Sequence, residues 1–533
     1  MKHRLLGAAS ALALFAGAAQ AEMVLHILHT NDVHSRIEQI NGSDSTCNEE
    51  QAAANECFGG VARIASKVAE LRDRILAEGG SVIVLDAGDQ YQGSLFYTTY
   101  KGTEVVEFMN AIGYDAMAVG NHEFDDGPEG LAVLVDGVEF PVISSNIDVS
   151  KSNVLADKVV RHSVIELGDQ KVGVVSALAM DTPETSSPGP NVTFQDDVES
   201  LKASVDELTA QGIDKIIALT HVGYLRDQQL AADVPGLDVV VGGHSHTLLG
   251  DMEGAEGAYP TLVAGPDGND VPIVQAYAYG KYLGHLTVTF DDNGEVTALE
   301  GQPILLDASV PEDQAIAGRV TEMAEPILEL REKVVAETDA PIDGDRANCR
   351  ARECEMGNLV ADAMLDRVRD QGVTIAIQNG GGLRASIDEG EVTMGEIYTV
   401  LPFQNTLATF QLNGGDIIAA LENGASQHAE AGGRFAQVAG LKYTLDPSAG
   451  PGSRISDVMV QEDGAWVSID EGQTYGVATN NYMRGGGDGY AVFAEKGQNA
   501  YDFGPDLAEV VAAYMSGMPE GYVPYLDGRI TVK

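Results

Sequence analysis

A mixed α/β chain of two domains is predicted by three observations. The chain has 533 residues, more than one core ordinarily holds. Short apolar strands alternate with helical stretches over residues 22–310, and the alternation resumes over 339–533 after a single long helical run. The loops that follow several strands carry carboxylates, amides and imidazoles, as in α/β sheets whose strand ends converge on one crevice.

Residues 1–21 read as an export signal. Lys2, His3 and Arg4 precede the apolar stretch LLGAASALALFAGAA, and Ala19-Gln20-Ala21 offers a small-residue cleavage site before Glu22. The apolar stretch is too short to span a bilayer comfortably. No later run of about eighteen apolar residues appears, no cysteine follows the signal to carry a lipid, and the C-terminal YLDGRITVK is no hydrophobic tail. The expectation is an exported protein, periplasmic or extracellular, without a stable membrane anchor; monomer and homodimer stay open.

Along the first domain, MVLHIL runs as a strand into HTNDVHSR. VARIASKVAELRDRILAEG has helical spacing and stops at Gly79-Gly80, before the buried strand and loop of SVIVLDAGD. KVGVVSALA, KIIALTHVG and LDVVVGGHS repeat the strand-then-loop arrangement. LTVTFDDNGEVTALEG reads as a hairpin whose Asp291-Asp292-Asn293-Gly294 is a turn, too short in ligands for a calcium loop. Residues 311–338 form one helical pattern broken only by Pro326, the expected connector between domains. VTIAIQNGG, TLATFQLNG, LKYTLD and YGVATNNYM supply strands for the second domain.

The formal net charge is −49, from 81 acidic and 32 basic residues. Nucleic-acid backbones and anionic membranes are poor partners for such a surface. The acidity reads as a solvating coat, with adaptation to salt as a second reading, and any phosphate site must bring its own local cations. Cys47, Cys57, Cys349 and Cys354 are an even set in an exported chain, so disulfides are expected. Three pairings are possible, and proximity favours Cys47 with Cys57 and Cys349 with Cys354.

Asp32 and His34 stand in HTNDVH, Asp89 in LDAGDQYQG, Asn121 and His122 in GNHEFD, His221 in LTHVG, and His244 and His246 in GGHSH. One such residue after one strand is ordinarily a hydrogen-bonded loop residue or a turn former. Five loops sharing a vocabulary of oxygen and imidazole donors point instead to borderline divalent metals. The donors outnumber those of a tetrahedral ion, and Asp89 has two oxygens with which to bridge a pair. Two divalent ions are therefore expected, zinc first and manganese or cobalt as alternatives, a set suited to hydrolysis of a phosphate ester. Asn121 offers an amide oxygen to a metal while His122 faces the substrate, and Asp125 holds that imidazole in one tautomer. Spacing alone reads Asp125 nearly as well as a cap before Gly127-Pro128.

Together HTNDVHSR, DAGDQYQG, GNHEFD, THVGY and GGHSH, followed by YGKYLGHL, resemble the secreted and ecto-5'-nucleotidase family of the metallophosphoesterase superfamily, over essentially the whole mature chain. The resemblance implies a four-layer α/β/β/α calcineurin-like domain over 22–310, a linker helix over 311–338 and a separate C-terminal α/β nucleotide-binding domain over 339–533. It implies Asp32, His34, Asp89 and His246 around one ion, Asp89, Asn121, His221 and His244 around the other, and His122 with Asp125 as a catalytic dyad. His246 departs from the Gln or Asn that members often carry. The family also pairs cysteines at positions matching 47 with 57 and 349 with 354.

In the second domain, Arg350 stands beside Cys349 and Arg384 follows the glycines of NGGGLR. Arginines near glycine-rich backbone suit forked bonds to phosphate, although NGGG lacks the Lys-Ser/Thr of a Walker loop and by itself reads as a turn. Phe435 and Tyr482 are aromatics among glycines, either core residues or a stacking pair for a base. The resemblance assigns Arg350, Asn379 and Arg384 as polar contacts to the nucleotide, Phe435 and Tyr482 to the base, and Asp488 to the ribose hydroxyls, with Tyr482 where Phe is common. It implies domain rotation about the connector and hydrolysis of nucleoside 5'-monophosphates such as AMP. UDP-sugar diphosphohydrolysis and 2',3'-cyclic nucleotide phosphodiesterase activity use the same chemistry. An extracytoplasmic nucleotide-binding protein without turnover would lack a ligand or dyad member, and none is missing; a serine hydrolase is disfavoured because GGHSHT lacks the second glycine of G-x-S-x-G.

Overall fold

A computed structural model describes residues 22–533 apart from Ser43, Asp463, Phe503 and Pro519. The export signal expected over 1–21 lies outside the described residues.

In the strand Met23–Thr30 alternate side chains leave on opposite faces, so Leu25 and Ile27 enter one core and Leu28 another. The strand pairs in parallel with Ser81–Asp86, which continues through Ala116–Ala118 to Val142–Ile143. On its other side it pairs antiparallel with Tyr282–Phe290, itself hairpinned to Val296–Gly301 through a turn in which Gly294 N donates to Asp291 O at 3.1 Å. A second sheet runs Thr261–Ala264, Asp270–Val274, Val239–Val241, Ile216–His221, Gln170–Leu178 and His162–Leu167.

The two sheets face each other across one apolar core, in which Leu25, Ile83 and Leu85 of the first meet Val172, Ile217 and Val241 of the second. Helices cover both outer faces: Val61–Ala77 and Thr103–Ile112 lie on the first, Asp197–Ala210 and Tyr224–Asp233 on the second. This is the expected four-layer α/β/β/α sandwich. All strands that precede the candidate ligand loops are parallel within their sheets, so their carboxyl ends collect on one side.

The C-terminal part has its own five-stranded sheet, ordered Ala436–Ala439, Ile375–Asn379, Thr474–Asn480, Leu407–Asn413 and Gln498–Tyr501. Helices Glu355–Val368 and Leu507–Ser516 pack on one face, and Gly414–Gly424 with a four-stranded sheet on the other. Cys47 bonds Cys57 and Cys349 bonds Cys354, with Cα separations of 5.9 and 5.0 Å.

The connector differs from expectation. Helix runs over Gln314–Ala324, tightens through Glu325–Ile327 at Pro326, and ends at Leu328–Arg331. Val334–Thr338 instead forms a strand against Gly390–Thr393. The β-branched Val334, Val335 and Thr338 favour extended backbone once a partner strand is present, which overrides the helical spacing. Val320, Met323 and Ile327 bury in the first domain's core, so the helix is docked on that domain and the strand on the next.

On the outer face of the first sheet His26 Nδ1 lies 3.0 Å from His285 Nε2. Burial, then His26 and Arg74, holds His285 down to about 4, and burial with Arg74 lowers His26 as well. Both folded values lie below the ordinary histidine value near 6.5. The pair therefore contributes stability above about pH 6.5 that is lost as pH falls towards 4, where the unfolded chain takes up protons the folded chain refuses. In chelator, Tm should fall between pH 7 and 5, and His285→Gln should flatten that fall; superimposable profiles would remove the pair from the account.

Candidate active site

Five loops at the carboxyl ends of both sheets form the site. Asp32 N donates to Gly88 O at 2.9 Å and His34 N to Asp89 O at 3.0 Å, which ties the first loop to the second. A Cβ at Gly120 would lie 2.3 Å from Asp89, so only glycine lets the third loop approach the second. Asp32, His34, Asp89, His244 and His246 all hold positive φ, between 50° and 73°. Non-glycine residues rarely adopt that backbone, and its concentration in one place is the mark of a functional constraint.

The donors fall into two clusters. Ligating atoms of Asp32, His34 and His246 lie within 4.8 Å of one another, as do those of Asp89, His221 and His244. Asp89 sits between them, with Oδ2 3.1 Å from His221 Nε2 and 3.9 Å from His34 Nε2. Asn121 joins the second cluster, its Oδ1 2.9 Å from His244 Nδ1. Backbone carbonyls fix two tautomers: His34 Nδ1–H donates to Tyr91 O at 3.1 Å and His221 Nδ1–H to Ala87 O at 2.6 Å. Both rings thus keep Nε2 for a cation. His221 Nε2 is buried and faces Asp89 Oδ2 at 3.1 Å without a well-aimed hydrogen bond among the described residues, a donor turned towards a cation's place. Asn31 Nδ2 donates to Asp32 Oδ2 at 2.8 Å and orients that carboxylate.

The electrostatics ask for positive charge. Burial raises Asp32 to about 6. Burial acts on Asp89 too, yet His221 and His122 hold it well below the usual carboxylate range. Against its own burial, His221 is pushed up to about 10 by Asp89 and Asp32. Enclosed carboxylates retain charge only beside a compensating positive charge, and this donor set fits divalent cations of the borderline class.

His122 Nδ1–H donates to Asp125 Oδ2 at 2.7 Å, and Ser186 Oγ donates to Asp125 Oδ1 at 2.7 Å. Burial would lower His122, but Asp125 and Asp89 raise it above the ordinary value. The structure thus joins His122 and Asp125 as expected and adds Ser186, which sequence reasoning missed. It also missed Glu123, inside the GNHEFD motif. Its buried carboxylate accepts from Asp89 N, Gln90 N, Tyr91 N and Gly120 N at 3.0, 2.8, 3.1 and 2.7 Å. One side chain therefore fixes the backbone of two ligand loops.

In the second domain Asn379 Nδ2 donates to Asp488 Oδ2 at 2.7 Å, and Tyr482 OH lies 3.3 Å from Asp488 Oδ1. Arg350 is buried beside the Cys349–Cys354 bridge, and its Nε has no partner among the described residues. Arg384 reaches across to the first domain, its Nη2 donating to His34 Nε2 at 3.0 Å. Arg346, also missed, donates to His244 O at 3.4 Å.

Phe435 is 1% exposed, packs against the core cluster of Ile377, Ile417 and Val438, and has its ring centroid 5.9 Å from that of His428. A half-buried ring that sequence reasoning missed, Phe403 from LPFQN, has its centroid 5.6 Å from that of His122 and 5.5 Å from the Arg384 guanidinium.

Residues 25–248 match the calcineurin-like phosphoesterase family model and residues 334–495 the 5'-nucleotidase C-terminal domain model. The chain is 41% identical to a 5'-nucleotidase of Bos taurus, covering 95% of this chain and 90% of that one. It is 39% identical to a snake venom 5'-nucleotidase of Naja atra, over 95% and 98% of the two chains. The solved structure of a 5'-nucleotidase precursor from Thermus thermophilus is similar with a TM-score of 0.90 and 41% identity, over 96% of this chain and 99% of that one. Two matched domains in the right order, with paired metal-donor clusters in the first, place the chain in the 5'-nucleotidase family of metal-dependent phosphoesterases.

Proposed function

We propose that the chain is an exported enzyme that hydrolyses nucleoside 5'-monophosphates such as AMP to nucleoside and inorganic phosphate, using two divalent cations, zinc foremost. The observation that carries this reading is the position of Asp89 between two donor clusters, with Arg384 of the other domain 3.0 Å from one of their ligands. Asp32, His34 and His246 would hold one cation and Asn121, His221 and His244 the other, with Asp89 available to either. Bound there, the cations would supply Lewis acidity towards water and the phosphoryl oxygens.

The chain's own groups do the rest. His122, charged through Asp125 and steadied by Ser186, donates to the oxygen on which charge develops. Arg350 and Arg384 take the phosphate with forked bonds. Asp488, oriented by Asn379, accepts from the ribose hydroxyls, and Phe435 with Tyr482 holds the base. Loading requires the domains to part, which breaks Asn41 and Gln51 from Asp388, both 2.8 Å, and Arg331 from Glu38. Export is supported by the signal-like N-terminus and two disulfides. No helix among the described residues is long and apolar enough to cross a membrane.

Exhaustive chelation should abolish phosphate release, and two equivalents of divalent metal should restore it. In a panel of AMP, ADP, UDP-glucose and 2',3'-cyclic AMP, the monophosphate should turn over fastest. Full speed after chelation would sink the metal assignment, and preference for another member of the panel would replace the substrate. Glu123→Gln should weaken metal binding roughly 10- to 100-fold, with kcat recovering at saturating metal; unchanged affinity by metal titration would contradict its positioning role. Arg384→Met should raise KM more than it lowers kcat, and a steady-state measurement showing unchanged KM with lost turnover would reverse that assignment.

A further inference from the structure

The loop that carries Asp32 and His34 also carries a cation that the reaction as described does not use. Arg36 is 4% exposed, and all three guanidinium nitrogens are buried without a hydrogen-bond partner among the described residues. Two other enclosed arginines are knitted in: Arg63 reaches the carbonyls of Val310 and Gly59, and Arg529 reaches Asp362, Asp527 and the Val438 carbonyl. The carboxylate whose charge acts on Arg36, Asp44, is already engaged by Lys281 Nζ at 2.9 Å and by the Tyr277 hydroxyl. Burial and the like charge of Arg384 both act against the charge on Arg36.

The surroundings are arranged to keep that head group in place. The Arg36 guanidinium carbon is 5.0 Å from the centre of the Tyr279 ring. That ring stands edge-on to His246 at 5.3 Å and 5.8 Å from His34. Gly93, at φ 118°, gives the guanidinium room, since a Cβ there would lie 3.0 Å from Nη1. A guanidinium presents five N–H donors in a fixed fork, and leaving all of them enclosed and unmet is costly unless an anion arrives.

We propose that Arg36, with the Tyr279 hydroxyl, forms a second tetrahedral-oxyanion subsite beside the metal clusters, adjoining the place of the reacting phosphate and sharing Arg384 with it. Its ligand is a phosphate group, either the inorganic phosphate released by the reaction or the second phosphate of a nucleoside diphosphate. The inference rests on the reading of the cleft as a phosphoester site.

Equilibrium binding tests it without turnover. The metal-loaded full chain is titrated calorimetrically with inorganic phosphate and, separately, with the non-hydrolysable α,β-methylene analogue of ADP, as wild type, Arg36→Met, Arg36→Lys and Tyr279→Phe, with melting curves confirming that each is folded. Affinity for at least one ligand should fall tenfold or more in Arg36→Met and partly recover in Arg36→Lys. A loss confined to inorganic phosphate identifies released product as the occupant, and a loss confined to the analogue identifies the diphosphate. Unchanged affinity for both in folded Arg36→Met overturns the subsite and leaves Arg36 a hydrated buried cation. If Arg36→Met does not fold, unchanged affinity for both in Arg36→Lys and Tyr279→Phe overturns it equally. Failure to release phosphate from AMP would sink the nucleotidase reading and leave these binding results standing.

Discussion

Asp32 and Asp89 are enclosed within a few ångströms of the same histidines, and carboxylates at that depth keep their charge only if something positive is held against them. Much of the first domain follows from that demand. Two sheets are stacked so that strand ends from both deliver imidazoles to the same place. The loops accept left-handed backbone at five donor residues, a cost that the tight packing of glycine-lined loops and the Glu123 hydrogen bonds hold in place. The same charge raises His221 and His122, so the features that gather cations also prepare an acid.

The second domain answers a different need. Amide and aromatic groups gather around Asp488, and the domain touches the first domain's donors through Arg384 and Arg346. The connecting helix packs on the first domain through Ile327, whereas Arg331 lies against Gly395 and the following strand pairs within the second, so the passage between the two bodies runs through residues 328–333. The two domains also meet through rings, Phe403 against His122 and Tyr398 against both cores.

The ligand loops are legible in the sequence because each puts a chemically distinctive residue directly after an apolar strand, and that adjacency survives folding. Residues defined by what surrounds them are not. Phe435 and Phe403 are both aromatics in loop-like sequence, and nothing local says which packs against the core. Glu123 is in plain view within GNHEFD, but its role depends on four backbone N–H groups from two loops. Ser186, Arg346 and Arg36 acquire meaning only from partners, or missing partners, far along the chain. The connector reads as helix through Thr338 because EKVVAET satisfies helical spacing, whereas a neighbouring strand decides its conformation.

The guanidinium groups of Arg36, Arg346, Arg350 and Arg384 are concentrated in one cleft of a molecule whose formal charge is −49. A dianion diffusing towards that molecule meets repulsion from most directions and attraction only near the mouth of the cleft. Dissolved salt shortens the reach of the outer field to about 8 Å at physiological ionic strength but barely touches groups already shielded from solvent. Ionic strength therefore acts here as an accelerator of capture, the opposite of its effect on enzymes that draw anions in with a positive exterior.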